Sequence, residues 1–342
     1  VPANEAGYNG RMTSPDMLAL LQQAVQARLP LPDSNHRAAL RLFNGFLEGA
    51  PRLAVDLYGS TLVIFNHAEP PESLHPLITA AQGWLLEQFP WLQAVILKER
   101  GGDAEARRGR LVWGSQPDDR ICEEGVWYAV DLRMNQDAGF YLDTRPLRAW
   151  LRQQMDGKTV LNTFAYTGSL GAAALAGGAA RVVQTDLNPR FLALAKATCT
   201  LNGFPATDAD FPAGDFFRVA ARLKQAGEKF DCAILDPPFF STTAAGRVDL
   251  NQSITRLINK LRPLVRSGGW LTVVNNALYV PGAEFSAGLE QLCEGGWLAL
   301  ESILPVPPDV TGYPHTRVAA PPVDPAPFNH PTKMAVLRVF HR

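Results

Sequence analysis

The stretch that decides the fold is residues 230–240, whose sequence is FDCAILDPPFF. Its first half is an apolar run that predicts a buried strand over 230–235, and Cys232 within it is expected to be a buried small hydrophobe. Two consecutive prolines cannot continue a central strand, so the chain must leave the sheet at Asp236. Pro238 also restricts the conformation of Pro237 and thereby the direction of its carbonyl. We therefore expect a carboxylate, a fixed carbonyl and aromatic rings at the carboxyl edge of a sheet, where ligands bind in α/β proteins.

A repeated strand–turn–helix rhythm surrounds this stretch from Lys158 onward. We predict strands over 159–161, 181–184, 230–235, 270–274, 298–304 and 334–340. The helices predicted between them cover 169–175, 191–202, 217–225 and 250–265. This alternation is typical of a parallel, doubly wound α/β sheet with right-handed crossovers.

The sequence before residue 131 has a different character. An amphipathic helix is predicted over 13–29, capped by Thr13 or Ser14, with a second helix over 76–88. Short strands are predicted over 39–42, 53–56, 62–65, 94–97, 111–113 and 126–131. We therefore expect two parts, a small α+β domain over 1–130 and a catalytic domain over 131–342.

Composition limits the classes of protein that this chain can be. Its 342 residues carry a formal net charge of −1, so binding to nucleic acid through bulk positive charge is not required. The basic cluster Arg107-Arg108-Gly109-Arg110 is expected to be a solvated turn. No apolar run of membrane-spanning length and no charged-then-apolar leader occur, which favours a cytoplasmic location. The four scattered cysteines argue against a disulfide framework and against a zinc site.

A proline-rich segment precedes the last predicted strand. Residues 305–331 hold nine of the 27 prolines of the chain. Such a segment is too long for a hairpin turn, and loops of this length often cover functional sites. We expect it to cover the active site.

Three further features lie at intervals that suit a nucleoside site. The turn over 161–169, with sequence LNTFAYTGS, follows a strand and opens a helix, and Gly168 lets the backbone approach a ligand closely. Asp186 follows the second strand, where an acidic residue commonly binds two ribose hydroxyls; alternatively, it caps the helix that starts near Pro189. Asp215 could meet an adenine amino group, although alone it would more often be a helix cap. The turn is not a GxGxxG, which weakens a dehydrogenase interpretation.

Together, the turn over 163–168, Asp186, Asp215 and the run 236–239 resemble class I S-adenosylmethionine-dependent methyltransferases. More narrowly, the chain is similar to the bacterial 23S rRNA large-subunit methyltransferases that modify cytosine C5 or guanine N7. The segments that carry this likeness, over residues 35 to 342, are 39–45 with 55–59, 138–145 and 162–168. The segment 138–145, with sequence AGFYLDTR, is the most specific of them.

The resemblance implies a Rossmann-like, seven-stranded sheet whose last strand, 334–340, is antiparallel. It also implies S-adenosyl-L-methionine as cofactor, with Asp186 on the ribose and Asp215 on the adenine side. The residues expected near the cofactor are Phe140, Asp143, Arg145, Asn162, Phe164, Tyr166, Thr167, Gly168, Asp186, Leu187, Asp215, Phe216 and Asp236. On the acceptor side we expect hydrogen bonds to Asp236 and the Pro237 carbonyl, stacking on Phe239 or Phe240, and orientation by Asn275.

The chain departs from the cytosine-C5 members of this family in two ways. Those members carry a cysteine nucleophile after the strand equivalent to 271–274, whereas this sequence has Asn275-Asn276, similar to the guanine-N7 members. Without a thiolate, methylation at carbon lacks its nucleophile. The cytosine-C5 members also begin with a small RNA-binding module that is missing here. The first departure favours a base nitrogen over cytosine C5, whereas the second, together with the net charge of −1, argues against RNA as the substrate.

The sequence therefore predicts a methyltransferase that acts on RNA, with rRNA as its partner and no membrane or metal. One alternative is a methyltransferase for a small molecule or a protein, which would leave no rRNA site undermethylated in a deletion strain. A second is a nicotinamide-dependent oxidoreductase, which NAD would protect. A third is a scaffold or RNA-binding protein that binds no S-adenosylhomocysteine.

Overall fold

The computed structural model describes residues 14–250 and 254–341, so that Thr13 as a helix cap lies outside the described residues. From residue 14 to residue 129, the described chain contains seven strands and four α-helices, two of which are single turns. The helices are α1 (Ser14–Gln26), α2 (Gly45–Glu48), α3 (His75–Gln88) and α4 (Ala104–Arg108). The strands are β1 (Ala39–Asn44), β2 (Leu53–Tyr58), β3 (Thr61–Asn66), β4 (Ala94–Glu99), β5 (Arg110–Gly114), β6 (Arg120–Glu123) and β7 (Val126–Ala129).

The strands β1 to β5 form one sheet in the order in which they occur along the chain. All neighbours are antiparallel except β3 and β4, which are parallel and are connected by α3. A tight turn with Gly59 at a positive φ of 60° joins β2 to β3. The helices α1 and α3 contribute Leu21, Val25, Leu77 and Leu85 to the apolar core on this sheet. The strands and helices predicted for this part of the chain are present, although the first helix ends at Gln26 rather than at residue 29 and the last strand ends at Ala129 rather than at residue 131.

The remaining elements belong to the second sheet and its helices. The helices are α5 (Arg145–Gln154), α6 (Ser169–Ala176), α7 (Pro189–Asn202), α8 (Phe216–Gln225), α9 (Ile254–Leu261), α10 (Gly282–Glu294) and the single turn α11 (Pro308–Thr311). The strands are β8 (Thr159–Thr163), β9 (Arg181–Thr185), β10 (Phe230–Leu235), β11 (Phe240–Thr243), β12 (Gly246–Asp249), β13 (Val265–Asn275), β14 (Leu298–Leu304) and β15 (Lys333–Val339).

The second sheet has the order β14-β15-β13-β10-β8-β9. The strands β9, β8, β10 and β13 are mutually parallel, and β15 is antiparallel to both of its neighbours. The Rossmann-like α/β fold with an antiparallel last strand is thus confirmed.

At the seventh position of this sheet the chain makes one parallel bridge, between Asp186 and Ala213, rather than a regular strand. The local sequence explains why. Pro212 has no N–H to donate to a ladder, and Asp215 already begins the next helix as its cap. The backbone hydrogen bond that forms here runs from Gly214 N to Asp186 O, at 2.9 Å. The sheet has six regular strands within the described part of the chain.

The predicted helix over 250–265 is shorter in the structure. Residues 251–253 lie outside the description, α9 ends at Leu261, and a 3-10 turn over Arg262–Leu264 leads directly into β13. Pro263 accounts for this early end, because a proline inside a helix removes a hydrogen bond and clashes with the preceding turn. Two helices, α5 and α10, and the hairpins β6–β7 and β11–β12 were not predicted in full.

The two sheets are connected through shared packing. Tyr58, Val63 and Ile96 of the first sheet belong to the same apolar core as Val160 and Ile234 of the second. The hairpin β6–β7, which lies before residue 130, is bonded to α7: Trp127 N and Ala129 N donate to Asn202 Oδ1 and Thr198 Oγ1, each at 2.9 Å. The domain boundary at residue 130 stays a prediction. Among the helices that the structure describes, none is long and apolar enough to cross a membrane.

The proline-rich segment packs on the first sheet through α11. The Asp309 carbonyl accepts hydrogen bonds from Arg28 Nε and Nη2, at 3.1 and 2.8 Å, and its carboxylate pairs with Arg145 at 2.8 Å. Arg28 also makes two hydrogen bonds to Glu48, at 3.0 and 3.1 Å, and both side chains are fully buried. This buried ionic cluster joins α1, α2 and the proline-rich segment.

Replacing Arg28 with Met should destabilise the protein strongly, because the Glu48 carboxylate would remain buried without its partner. We expect the free energy of unfolding to fall by about 3–5 kcal/mol. Chemical denaturation measures it. The matched control is Arg110→Met, which breaks the exposed pair with Asp103 and should lower the free energy of unfolding far less, because water screens an exposed ion pair. Equal losses in the two variants would contradict the assignment.

Candidate active site

A cavity of about 370 Å³ lies at the carboxyl ends of β8, β9 and β10. The first residue after each of these strands, Phe164, Asp186 and Asp236, contributes to its wall. Further lining residues include Asn135, Asp137, Tyr141, Tyr166, Leu187, Asn188, Asp215, Phe216, Pro237, Thr243 and Asn276. The position agrees with the ligand-binding edge of a doubly wound sheet.

The turn between β8 and α6 has an unusual backbone. Phe164 and Tyr166 adopt positive φ angles of 52° and 50°, a region that residues other than glycine rarely occupy. Gly168 has a φ of 80°, and a Cβ there would lie 2.4 Å from the Ala195 Cβ. The Tyr166 N–H donates to Asp186 Oδ2 at 2.9 Å, which fixes the turn to the neighbouring strand. The strain is concentrated where the two aromatic rings enter the cavity wall.

Asp186 is held by the backbone rather than by another charge. Its two oxygens accept hydrogen bonds from the N–H groups of Tyr166 and Asn188, both at 2.9 Å. Burial raises the pKa of the Asp186 carboxyl. The cap of α7 is Asn188, whose side chain accepts from Arg190 N, so the alternative that Asp186 caps this helix is wrong. Asp186 therefore presents an oriented carboxylate to the cavity.

Asp215 combines the two interpretations that its sequence position allowed. It caps α8 by accepting from the N–H groups of Phe217 and Arg218, at 2.9 and 3.2 Å, and it also lines the cavity. Its second oxygen accepts from Thr243 Oγ1 of the β11–β12 hairpin. The next residue, Phe216, stacks on Phe164 with ring centroids 4.8 Å apart. The cavity therefore has an aromatic wall beside a carboxylate.

Asp236 differs from the other two carboxylates. Burial, reinforced by the negative charge of Asp143, raises the pKa of Asp236 to about 7. Within residues 14–250 and 254–341, no hydrogen-bond donor contacts its carboxylate. The side chain thus has free acceptor capacity at the point where the chain leaves the sheet. Such a group is available to a ligand.

The structure brings together eight of the residues expected at the site and places the others elsewhere. Those in the cavity wall are Phe164, Tyr166, Asp186, Leu187, Asp215, Phe216, Asp236 and Pro237. Those outside it are Phe140, Asp143, Arg145, Asn162, Thr167, Gly168, Phe239, Phe240 and Asn275.

The residues outside the wall have partners elsewhere in the fold. Asn162 is buried and donates to Gln184 Oε1 at 3.3 Å, and Thr167 Oγ1 donates to the Gly139 carbonyl at 2.6 Å. Arg145 pairs with Asp309 and Glu123 at 2.8 and 3.3 Å, away from the cavity. Phe140 is buried under the guanidinium of Arg148, 4.1 Å from its ring centroid.

On the expected acceptor side, the asparagine that reaches the cavity is Asn276. Asn275 is fully buried, still pairs with Lys333 in the sheet, and its Oδ1 accepts from Ala277 N at 2.9 Å. Phe239 lies outside the wall with 46% of its surface exposed. Neither position follows the sequence expectation, and Asn275 stays in the sheet because β13 continues one residue further than predicted.

Two polar residues of the wall, Asn135 and Asp137, were not anticipated from the sequence. The Asp137 carboxylate accepts hydrogen bonds from the hydroxyls of Tyr166 and Tyr141, the latter at 3.1 Å. The Asn135 carbonyl accepts from Lys98 Nζ at 2.8 Å, and its side chain contacts Tyr166. The available signal was the polar run 135–137, which immediately precedes the family-like segment 138–145.

The proline-rich segment 305–331 contributes no residue to the wall of this cavity. Its predicted role as a cover is therefore not what the structure shows. Across the described residues, no group of three or more metal-ligating side chains could hold a metal ion.

The cavity residues fit the S-adenosyl group that the sequence resemblance implies. Two carboxylates fixed by backbone N–H groups can accept hydrogen bonds from a ribose diol and an adenine amino group. The stacked pair Phe164–Phe216 offers an apolar wall to a planar base.

A family model for S-adenosylmethionine-dependent methyltransferases matches residues 79–308. The ribosomal RNA large subunit methyltransferase I of Aeromonas salmonicida is 33% identical over 230 residues, which cover 67% of this chain and 58% of the relative. The enzyme of that name from Tolumonas auensis is 33% identical over 255 residues, which cover 70% and 63% of the two chains. This chain thus spans less than two thirds of the length of these relatives.

Among solved structures, SMU.776 in complex with S-adenosylhomocysteine (SAH) superimposes with a TM-score of 0.81 and 21% identity. The match covers 97% of this chain and 83% of that protein. A likeness at this identity supports the fold.

Asp186→Ala should weaken SAH binding about 10- to 100-fold, because charge-assisted hydrogen bonds to the ribose would be lost. Isothermal calorimetry measures the dissociation constant. The control is Asp208→Ala, which removes a carboxylate that is 96% exposed and paired with Lys196, and which should leave binding unchanged. Wild-type affinity in the Asp186 variant would exclude this role.

Proposed function

This chain belongs to the S-adenosylmethionine-dependent methyltransferase family, and on that premise we propose that it methylates a nitrogen of a base in ribosomal RNA. The observation that carries the proposal is the Asp236 carboxylate at the cavity edge, which accepts no hydrogen bond from the described residues and is followed by another residue of the cavity wall, Pro237. Family membership leaves no support for the nicotinamide-dependent oxidoreductase alternative.

The cofactor would lie along the edge of the sheet. Asp186 would bind its ribose, Asp215 the adenine side, and Phe164 with Phe216 the face of the adenine. When bound, S-adenosylmethionine supplies a methyl group that its sulfonium already activates for displacement. The protein therefore contributes mainly orientation, which can account for a large part of a rate enhancement.

Asp236 and Pro237 would orient the acceptor. A carboxylate and a carbonyl accept hydrogen bonds only, so they suit an amino or ring N–H group on the base. These bonds direct the lone pair of the acceptor nitrogen and stabilise the positive charge that develops on it. Asn276, which lines the same cavity, can hydrogen-bond another edge of the base.

The positions and pKa values of the cysteines favour a nitrogen acceptor over a carbon acceptor. Methylation at cytosine C5 needs a thiolate that attacks the ring. Burial raises the pKa of Cys199 to about 11 and raises that of Cys232 still further. Cys122 and Cys293, like these two, lie outside the cavity wall. The described site therefore supplies no thiolate.

Two observations favour RNA over a small molecule or a protein. The relatives described above are named as ribosomal RNA methyltransferases. In addition, three arginines, Arg108, Arg133 and Arg190, outnumber the two acidic residues, Glu105 and Asp131, in the wall of a groove of about 670 Å³. Arg133 and Arg190 are each two residues from a member of the cavity wall, Asn135 and Asn188 respectively. Arginines at this position suit the phosphates of a strand whose base enters the cavity.

The experiment that tests this function compares the rRNA nucleosides of a wild-type strain and a deletion strain by mass spectrometry. We expect one N-methylated nucleoside to be lost on deletion and restored by complementation. Loss of 5-methylcytidine instead would contradict the nitrogen acceptor, and unchanged rRNA would contradict RNA as substrate.

Asp236→Asn should lower kcat/KM about 10²- to 10³-fold while SAH affinity stays unchanged, because an aligned charged acceptor is lost. In the wild type, kcat/KM should rise as the pH passes through about 7, since the ionised carboxylate is the active form. Steady-state kinetics over a pH series measure both effects.

The control for this pH dependence is Asp143→Asn. Removing the neighbouring negative charge lowers the pKa of Asp236, so the rise should move to lower pH. A wild-type profile without any rise near neutral pH would contradict the assigned role of Asp236.

A further inference from the structure

A second cavity, of about 430 Å³, adjoins the first. The residues assigned to the cofactor and to methyl transfer line the first cavity. One side of the second cavity is formed by β1, β2 and β3 of the five-stranded sheet, and the other by the segment 136–143. Asp137 and Tyr141 belong to the walls of both cavities. The two cavities are therefore neighbours across these two side chains.

The charges in the second cavity favour a ligand that donates hydrogen bonds. The guanidinium of Arg41 is neutralised by two bonds to Asp56, at 2.7 and 3.0 Å. The remaining carboxylates, Asp137 and Asp143, make the cavity acidic. Asp143 Oδ2 accepts from Thr332 Oγ1 at 2.6 Å, whereas its Oδ1 has no hydrogen-bond donor among the described side chains and backbone groups. An acidic wall repels phosphate and accepts from amino groups.

Aromatic rings lie on the side that belongs to the first sheet. Phe46, on the short helix α2, lines the cavity with 40% of its surface exposed. Phe65 and His67, also in the wall, are parallel within 12° at a centroid distance of 6.3 Å. Exposed aromatic faces of this kind stack on planar bases.

The second cavity is also close to the proposed reaction centre. Asp143 is near enough to Asp236 for its charge to raise the pKa of that carboxyl. The ring of Tyr141 lies 5.5 Å from that of Tyr166, which belongs to the cofactor cavity. A base held between Phe46 and Asp143 would thus lie next to the wall residues that separate it from the cavity lined by Asp236.

We propose that the acceptor base is held in this second cavity with its reactive edge directed across Asp137 and Tyr141 into the first cavity, and that the second cavity selects a base with an exocyclic amino group over uracil. Asp143 accepts a hydrogen bond from the amino group, and Phe46 stacks on the ring. The phosphates stay outside, because the cavity wall is acidic. This inference rests on the proposed function for its role in catalysis, but base binding can be measured without any methyl transfer.

The test measures binding of adenosine, guanosine, cytidine and uridine to SAH-saturated protein by saturation-transfer NMR. Saturation with SAH keeps adenosine out of the cofactor cavity. At least one amino-bearing nucleoside should bind about tenfold more tightly than uridine, since the single donor of uracil, its ring N3–H, lies between two carbonyl oxygens that the Asp143 carboxylate repels. Asp143→Asn should reduce this preference, because an amide can also donate to a uracil carbonyl.

Two variants locate the binding. Ala54→Phe places a large side chain in the cavity wall and should abolish nucleoside binding, whereas Phe46→Ala should weaken it about tenfold. The matched control is Phe340→Ala, because Phe340 is 41% exposed, against 40% for Phe46, and lies outside both cavities. Unchanged SAH affinity verifies that each variant folds.

Three results would overturn the inference. They are no binding of any nucleoside, uridine binding as tightly as the amino-bearing nucleosides, and wild-type nucleoside binding in both Ala54→Phe and Phe46→Ala. Nucleoside binding that these variants lose supports the cavity assignment even if rRNA from the deletion strain is unchanged, in which case only the rRNA substrate fails. Conversely, a lost rRNA methyl group with unaffected nucleoside binding in both variants would contradict the cavity alone.

Discussion

The parallel register of three strands is the constraint on which the site depends. Leu235 of β10 pairs with Thr163 of β8, and Thr163 pairs with Thr185 of β9. Because these three residues form one row, the residues that follow them leave the sheet at one level. Asp236, Phe164 and Asp186 are those residues. A shift of one residue in either pairing would separate them, so the hydrogen-bond ladder of the sheet itself sets the spacing of the site.

Two of the three carboxylates at this edge are already bonded to the backbone, and one is not. Asp186 and Asp215 each accept two backbone N–H groups, which fix their orientation before a ligand binds. Asp236 accepts no such bond from the described backbone, so burial raises its pKa without opposition. Fixed carboxylates suit a cofactor that every turnover uses in the same pose. An unbonded carboxylate suits a group whose protonation and hydrogen bonds change during the reaction.

Much of the fold could be predicted because apolar runs and prolines have local consequences. The strand over 230–235 coincides with β10, and the prolines after it end the strand as expected. The roles of Asn275 and Asn276 could not be distinguished from the local sequence. Asn275 is the last residue of β13 and pairs with Lys333, so that Asn276 is the first residue free to face the cavity. The end of β13 depends on β15, which is distant in sequence, and no local pattern reveals it.

The same limit applies to the segment 138–145, which carries the most specific family likeness yet contributes only Tyr141 to the cofactor cavity. Its backbone explains its importance. The Gly139 carbonyl accepts from Thr167 in the strained turn, and the Phe140 carbonyl accepts from Tyr58 of the first sheet at 3.1 Å. One short segment is thereby bonded to both sheets. It holds the five-stranded sheet against the edge of the methyltransferase sheet, and both cavities depend on that placement.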